Sequence, residues 1–347
     1  MAKKALLLVN LGTPDSPSFL AVAQYLKEFL SDPRVIDLPW IFRQALVNGF
    51  IVPFRSRKST HAYRSIWQME GSPLLIHSRN LQSALAQALG SNFDVLLAMR
   101  YGQPKLESLL KNLDLRPYSE LIVLPLFPQY ASATTGSIFD QIFQSIRGRL
   151  NLPKLTLFNQ FYQNSAFINA STGVYQSYLN NLPPDQLPDF YLFSFHGLPI
   201  RQLQKLNLAC GKTCDIKNPC APVDATVNNL ACYRAQCYAS AKAIAEKLGL
   251  QPEQYTISFQ SRLGRLPWIP PYTEDILQAL AKKGIRNLAI ACPSFVSDCL
   301  ETLEEIGIQA KSTWTQVGGR NLYLLPCLNA DPLWVKELSE QILNSSL

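Results

Sequence analysis

Short continuous apolar runs, each followed by a stretch of helical periodicity, recur along this chain and restrict its fold more than any other feature. Ala5–Asn10, Val95–Arg100, Leu121–Pro125, Leu155–Phe158, Phe190–Phe195, Tyr255–Gln260 and Leu288–Cys292 read as strands. The runs are continuous rather than alternating, as expected of strands buried on both faces. Helical patterns fall near Leu20–Ser31, Asn80–Leu89, Ile138–Arg147, Phe167–Asn180, Tyr233–Leu248, Tyr272–Lys283, Cys299–Glu305 and Pro332–Leu343. Strand–helix alternation predicts open parallel α/β sheets flanked by helices. The 347 residues, at roughly 150 per domain, predict two of them. We expect domains over 1–152 and 153–330, meeting near Asn151–Pro153, and a C-terminal helix over 331–347. No internal repeat is visible.

Charged residues make up 16% of the chain, against about 25% in average soluble proteins, which excludes a disordered or highly charged scaffold. A net charge of +7 fits an anionic ligand or a membrane surface. No long basic run argues for nucleic acid. No segment reaches the ~18–20 apolar residues of a membrane span. The apolar start Ala5–Val9 breaks at Asn10 without a cleavage site, so a cytosolic chain is expected.

Disulfides are then unexpected, yet five of the eight cysteines crowd between Cys210 and Cys237. The spacing Cys210-x3-Cys214-x5-Cys220-x11-Cys232-x4-Cys237 lacks the paired C-x2-C of zinc ribbons. An iron–sulfur cluster, a zinc site, and unliganded thiols or a disulfide all remain open.

Segments after the strands are rich in Gly, Pro, Ser, aromatics and Arg. They include Asn10–Pro14, Arg100–Pro104, Pro128–Ser137, Ser194–Pro199, Phe259–Trp268 and Pro293–Asp298. Open α/β sheets bind ligands beyond the carboxyl ends of their strands. Six such loops lining one cleft suit a flat, apolar ligand with acidic groups. Neither G-x-G-x-x-G nor G-x-x-x-x-G-K-[ST] occurs, which disfavours nucleotides. Among three histidines, His196 closes the run Phe190–Phe195 and precedes Gly197, where it serves either as a proton acceptor or metal ligand, or as a hydrogen-bonded structural residue. In Ser297–Glu305, helical spacing puts Glu301 on one face with Glu304 and Glu305. Such acids either move protons or hold a hard cation, or simply balance the helix dipole. Leu38–Arg57 mixes Trp40, Ile41, Phe42, Phe50 and Phe54 with Arg43 and Arg55. It reads either as an amphipathic core helix or as a lip touching a membrane.

Together, Asn10–Pro14, Phe127–Tyr130, Thr134–Ser137, Ser194–Pro199, Phe259–Arg262, Pro267–Trp268 and Ser297–Thr302 resemble the ferrochelatases, in the family's order and nearly end to end outside the cysteine insert. The resemblance implies two Rossmann-like, chelatase-type domains with the active cleft between them. It implies insertion of Fe2+ as substrate into protoporphyrin IX, the last step of haem biosynthesis, in the cytoplasm or at the inner membrane face. His196 matches the family's active-site histidine, Glu301 the acid across the cleft and Glu305 the next acid on the proton or metal path, so His196 and Glu301 become candidate contacts of the substrate iron. Arg100 and Tyr101 match a porphyrin-side pair; Gln260, Ser261, Trp268, Phe295 and Asp298 match pocket positions. Cys299 stands where many eukaryotic relatives have histidine. Asp15 stands where coproporphyrin-type enzymes have tyrosine, which favours protoporphyrin IX over coproporphyrin III. Tyr233 and Cys237 hold ordinary family positions. The insert, about 203–232, therefore adds four thiols, Cys210, Cys214, Cys220 and Cys232, the number a [2Fe-2S] cluster needs; Zn2+ is the alternative. Rival readings are another tetrapyrrole metal chelatase and a non-catalytic porphyrin or iron–sulfur sensor.

Overall fold

The computed structural model describes residues 2–205, 231–262, 264 and 266–344. It holds two four-stranded parallel sheets. The first contains β1 (Lys3–Thr13), β2 (Phe93–Gly102), β3 (Tyr118–Pro125) and β4 (Lys154–Leu157), in the order β2-β1-β3-β4. The second contains β5 (Phe190–His196), β6 (Tyr255–Gln260), β7 (Asn287–Ala291) and β8 (Asn321–Leu324), in the order β6-β5-β7-β8. The two orders are the same pattern, so the architecture repeats where the sequence shows no repeat. Contacts divide the chain into one unit of 1–127, 131–160 and 339–347 and another of 128–130 and 161–338. Because β4 pairs with β3 from Glu120↔Lys154 to Val123↔Leu157, the first unit runs on to Gln160.

In the first unit Ala5 to Val9 are each 0% exposed. Alternate side chains point to opposite faces, so both faces of β1 are covered. On one face Ala5, Leu7, Val9, Leu121 and Val123 pack with Leu106 and Leu110 of the helix Leu106–Asn112 and Ile138, Ile142 and Ile146 of the helix Ser137–Ile146. Gly12, at φ +116°, lets β1 lie against β2, since a Cβ there would sit 1.7 Å from the Tyr101 carbonyl oxygen. In the second unit Leu192, Leu288, Ile290 and Leu322 pack with Leu277 and Leu280 of the helix Thr273–Lys282, with Ile306, and with the fully buried Trp314.

Three elements depart from the sequence reading. The strand β8, four residues long with Leu322 buried, is absent from the sequence reading. The acidic segment is not an α-helix but a π-helix, Glu301–Ala310. Its buried residues are Thr302, Ile306 and Ala310, the same i, i+4, i+8 spacing that an α-helical stripe shows. The third departure is the Leu38–Arg57 segment. It forms the helix Trp40–Leu46, a π-helical turn Val47–Ile51 and the start of the helix Val52–Ile66. Trp40, Ile41, Phe42, Phe50 and Phe54 are 64–78% exposed, while Val47 and Ser56 are buried, so the large apolar side chains of this segment lie outside the core. Among the described residues no helix is long and apolar enough to cross a membrane.

Candidate active site

The second sheet changes direction of winding at β5, whose neighbours β6 and β7 lie on either side of it. Ligands of open α/β sheets sit beyond the strand ends at such a point. The last residue of β5 is His196. Its backbone is pinned twice: its N–H donates to Ser294 Oγ (3.2 Å), and its carbonyl accepts from the Tyr233 hydroxyl (2.8 Å). Its Nδ1 lies 2.7 Å from the Gly197 carbonyl oxygen. A carbonyl only accepts, so Nδ1 carries the proton and Nε2 is left with a lone pair, able to take a proton or meet a metal. Trp268 and Phe295 flank the imidazole, each with its ring centroid 6.4 Å away. Gly197 makes this approach feasible, because a Cβ there would lie 2.8 Å from the Gln260 carbonyl oxygen and 3.1 Å from Trp268 Cε3.

Gln260 is the strand partner of His196 on β6 and is buried. Its side chain is fully committed inside the protein. Ser194 Oγ (2.7 Å) and Cys292 Sγ (3.7 Å) donate to its Oε1, and its Nε2 donates to the Glu301 carbonyl (2.8 Å) and to Glu305 Oε2 (3.3 Å). Ser194 extends this chain to Thr273 (3.0 Å), and Thr273 to Ser258 (2.9 Å), all three buried. Ser261 follows at φ +68°, a left-handed conformation costing a non-glycine residue about 1–2 kcal/mol. Its backbone N–H donates to Glu305 Oε1 (2.7 Å) and its hydroxyl to Glu305 Oε2 (2.5 Å). Burial raises the Glu305 pKa above the ordinary carboxylate range, and Glu301 adds to this; the Ser261 hydrogen bonds and His196 pull it back in part.

The π-helix separates the acids that the sequence grouped. Glu304 turns to Gln309, five residues on, whose Nε2 donates to its carboxylate at 2.8 Å. Glu305 turns to Ser261, and Glu301 is half-buried. Asp298 is buried and accepts from Thr302 Oγ1 (3.0 Å), Asn329 Nδ2 (2.8 Å) and the Cys327 N–H (3.3 Å), so its carboxylate is committed to holding the loop before the π-helix. Burial pushes the Cys299 thiol up, keeping it protonated. Among the described residues no three His, Cys, Asp or Glu groups form a ready metal cage. Cys210, Cys214 and Cys220 lie outside the described residues. Cys232 is buried and caps the N-terminus of the helix Tyr233–Lys247.

Arg100 and Tyr101 end β2 in the first unit. Both are held by Asp32, which the sequence reading did not single out. Its Oδ2 accepts from Arg100 Nη2 (2.7 Å), the Tyr101 hydroxyl (2.9 Å) and Ser137 Oγ (2.6 Å). Burial, reinforced by Asp32, raises the Tyr101 pKa, so the phenol stays a donor. Beside them lies a cavity of about 250 Å³ bordered by Glu28, Asp32, Arg100, Tyr101 and Asp140. Ser137 belongs to the loop motif Thr134–Ser137; no local pattern marks Asp32, because it is recruited through the fold.

Twin four-stranded parallel sheets, with a histidine at the end of one central strand and a half-buried acid on the helix that follows its neighbour, define a chelatase-type α/β protein. The solved structure of SirB from Bacillus subtilis with Fe3+ shares the fold, with a TM-score of 0.50, 11% identity, and coverage of 99% of this chain and 95% of that one. The ferrochelatase family profile matches residues 3–346. The ferrochelatase of Coxiella burnetii (strain Dugway 5J108-111) is 46% identical over 338 residues, covering 97% of this chain and 92% of that protein. The ferrochelatase of Legionella pneumophila (strain Corby) is 45% identical over 337 residues, covering 97% of both. The chain belongs to the ferrochelatase family, enzymes that insert a metal into a porphyrin.

Proposed function

We propose that this protein inserts Fe2+ into protoporphyrin IX, giving protohaem and closing haem synthesis. The observation that carries the reading is the His196 imidazole at the end of β5, its Nδ1–H donated to the Gly197 carbonyl and its ring flanked by Trp268 and Phe295. Metal entry requires two pyrrole N–H bonds to break as two N–Fe bonds form, releasing two protons. His196 Nε2 takes the first. The acids of the π-helix, Glu301 with Glu305 behind it, take up the second charge and face the incoming iron. Trp268 and Phe295 supply apolar surface for the macrocycle. Contacts remote from the nitrogens bend the ring and expose their lone pairs. Anaerobic insertion assays with protoporphyrin IX beside coproporphyrin III, and with Fe2+ beside Co2+ and Ni2+, test the substrates. Faster turnover of coproporphyrin III or Co2+ overturns the specific reading.

A [2Fe-2S] cluster on Cys210, Cys214, Cys220 and Cys232 fits the chemistry of four added thiols, which is the ligand number such a cluster takes. The one described member, Cys232, is buried at the N-cap position of the helix Tyr233–Lys247. When bound, the cluster supplies one-electron redox chemistry, and no step of metal insertion is routed through it. Protein purified without oxygen should contain iron and acid-labile sulfide in equal amounts, and Cys232→Ser should lose both. Zinc without sulfide sinks the idea.

We read the protein as cytoplasmic, with the exposed lip meeting an anionic membrane face. Five exposed large apolar side chains stand beside exposed Arg55, Arg57 and Lys58, which pairs apolar insertion with attraction to anionic lipid. Co-sedimentation with anionic vesicles should fall at least tenfold in the double variant Phe50→Ser/Phe54→Ser. Equal binding of the variant rules out the lip.

A further inference from the structure

We propose that Ser261 is a positioning residue for Glu305, held in a left-handed conformation so that one residue can grip both oxygens of that carboxylate. The proposal rests on the functional reading above and goes beyond it by giving Ser261 a role towards the acid, not towards the porphyrin.

The backbone conformation is the first observation. Nine described glycines adopt positive φ, which is how this chain turns left-handed when only the turn matters. Among the described residues just two others do so, Ser261 at φ +68° and Asn329 at φ +50°. Both have side chains bound to an acid: Asn329 donates to Asp298 at 2.8 Å, and Ser261 to Glu305 at 2.5 Å. A glycine at 261 would make the same turn without strain but would lose the hydroxyl. A backbone outlier that persists at a functional site argues that its side chain is needed there.

The second observation is what the conformation achieves. The Ser261 N–H and hydroxyl reach different oxygens of one carboxylate, at 2.7 and 2.5 Å, and Gln260 Nε2 adds a third donor at 3.3 Å. Two points of attachment fix both the rotamer and the plane of the carboxylate, where one would leave it free to rotate. Gln260 is itself immobilised by Ser194 and by the Glu301 carbonyl. It is also the register partner of His196. The imidazole and the grip on Glu305 therefore hang from adjacent strand ends, and the sheet ladder sets their separation. A proton acceptor held in this way needs no reorganisation when the metal arrives.

The test is Ser261→Gly, which relieves the strain and removes the hydroxyl together. The melting temperature should stay level or rise, while kcat for iron insertion falls roughly 10- to 100-fold with KM and Kd for protoporphyrin IX unchanged. Ser261→Asn, which tolerates the left-handed region and keeps a donor, should recover part of kcat. The double variant Ser261→Gly/Glu305→Gln should be no slower than Glu305→Gln alone, since Ser261 acts through that acid. A rise in KM with kcat unchanged assigns Ser261 to the porphyrin and overturns the proposal, as does a double variant that loses the product of the two single losses. If the wild type inserts no iron, the functional reading fails instead. The grip then stands or falls on whether Ser261→Ala and Glu305→Gln shift the melting temperature non-additively.

Discussion

Replacing His196 by alanine is expected to lower iron insertion about a thousandfold, with protoporphyrin IX binding changed by no more than a few-fold. The reasoning starts at the strand. β5 delivers His196 to the point where the second sheet reverses its winding, and the Ser294 and Tyr233 hydrogen bonds fix the backbone there. The Gly197 carbonyl occupies Nδ1–H, so only Nε2 offers a lone pair. Alanine removes that lone pair and leaves Trp268 and Phe295, the apolar surface for the macrocycle, in place. His196→Gln is the companion variant; it keeps a polar side chain but no titratable acceptor, and should be as inactive as the alanine variant. Insertion is followed by the absorbance of the metallated product and binding by quenching of porphyrin fluorescence. More than a tenth of wild-type turnover in either variant counts decisively against the assignment.

Glu305→Gln is expected to slow insertion about a hundredfold and to change how the rate depends on acidity. Burial holds the Glu305 pKa above the ordinary carboxylate range, opposed in part by the Ser261 hydrogen bonds and by His196. An acceptor must be ionised, so the wild-type rate should fall on the acid side at a pH above that at which exposed carboxylates titrate. Glu305→Gln should lose the part of that limb that this carboxyl contributes. Stability runs the other way. A folded-state pKa above the unfolded value favours the protonated form, so this group's contribution is fully present below the unfolded carboxylate pKa and is lost as pH rises through the raised one. Melting temperatures of the wild type should therefore lose, on going up in pH through that window, an increment that Glu305→Gln does not lose. An unchanged acid limb in the variant removes Glu305 from the proton path.

Much of this was legible in residue order. Continuous apolar runs such as Ala5–Val9 and Leu121–Leu124 marked buried parallel strands because they are covered on both faces, whereas Tyr255–Gln260 alternates apolar and polar residues. His196 was legible because a polar residue closing an apolar strand stands where such sheets bind ligands. Other parts were hidden. The strand β8, four residues long with Leu322 buried, is absent from the sequence reading. The π-helix looks like an α-helix to any reading with a 3.6 period, since its buried Thr302, Ile306 and Ala310 keep the i, i+4 spacing of an α-helical stripe. Asp32 lies far along the chain from the Arg100, Tyr101 and Ser137 it joins, and only the fold brings the four together.

By itself the sequence determined the class of fold and the family, and marked the histidine and the acids as candidates, because these rest on apolar periodicity and on local motifs that need no partner. The tertiary structure decided how those residues are used. Only packing across the sheet could show Gln260 and Ser261 turned inward to Glu305, since their partners lie some forty residues away on the π-helix. Only the fold could show Glu304 engaged by Gln309 while Glu305 is held by Ser261, and only the carbonyl of Gly197 could place a proton on Nδ1. Hydrogen-bond direction and side-chain orientation are properties of neighbours in space, and a chain read residue by residue does not contain them.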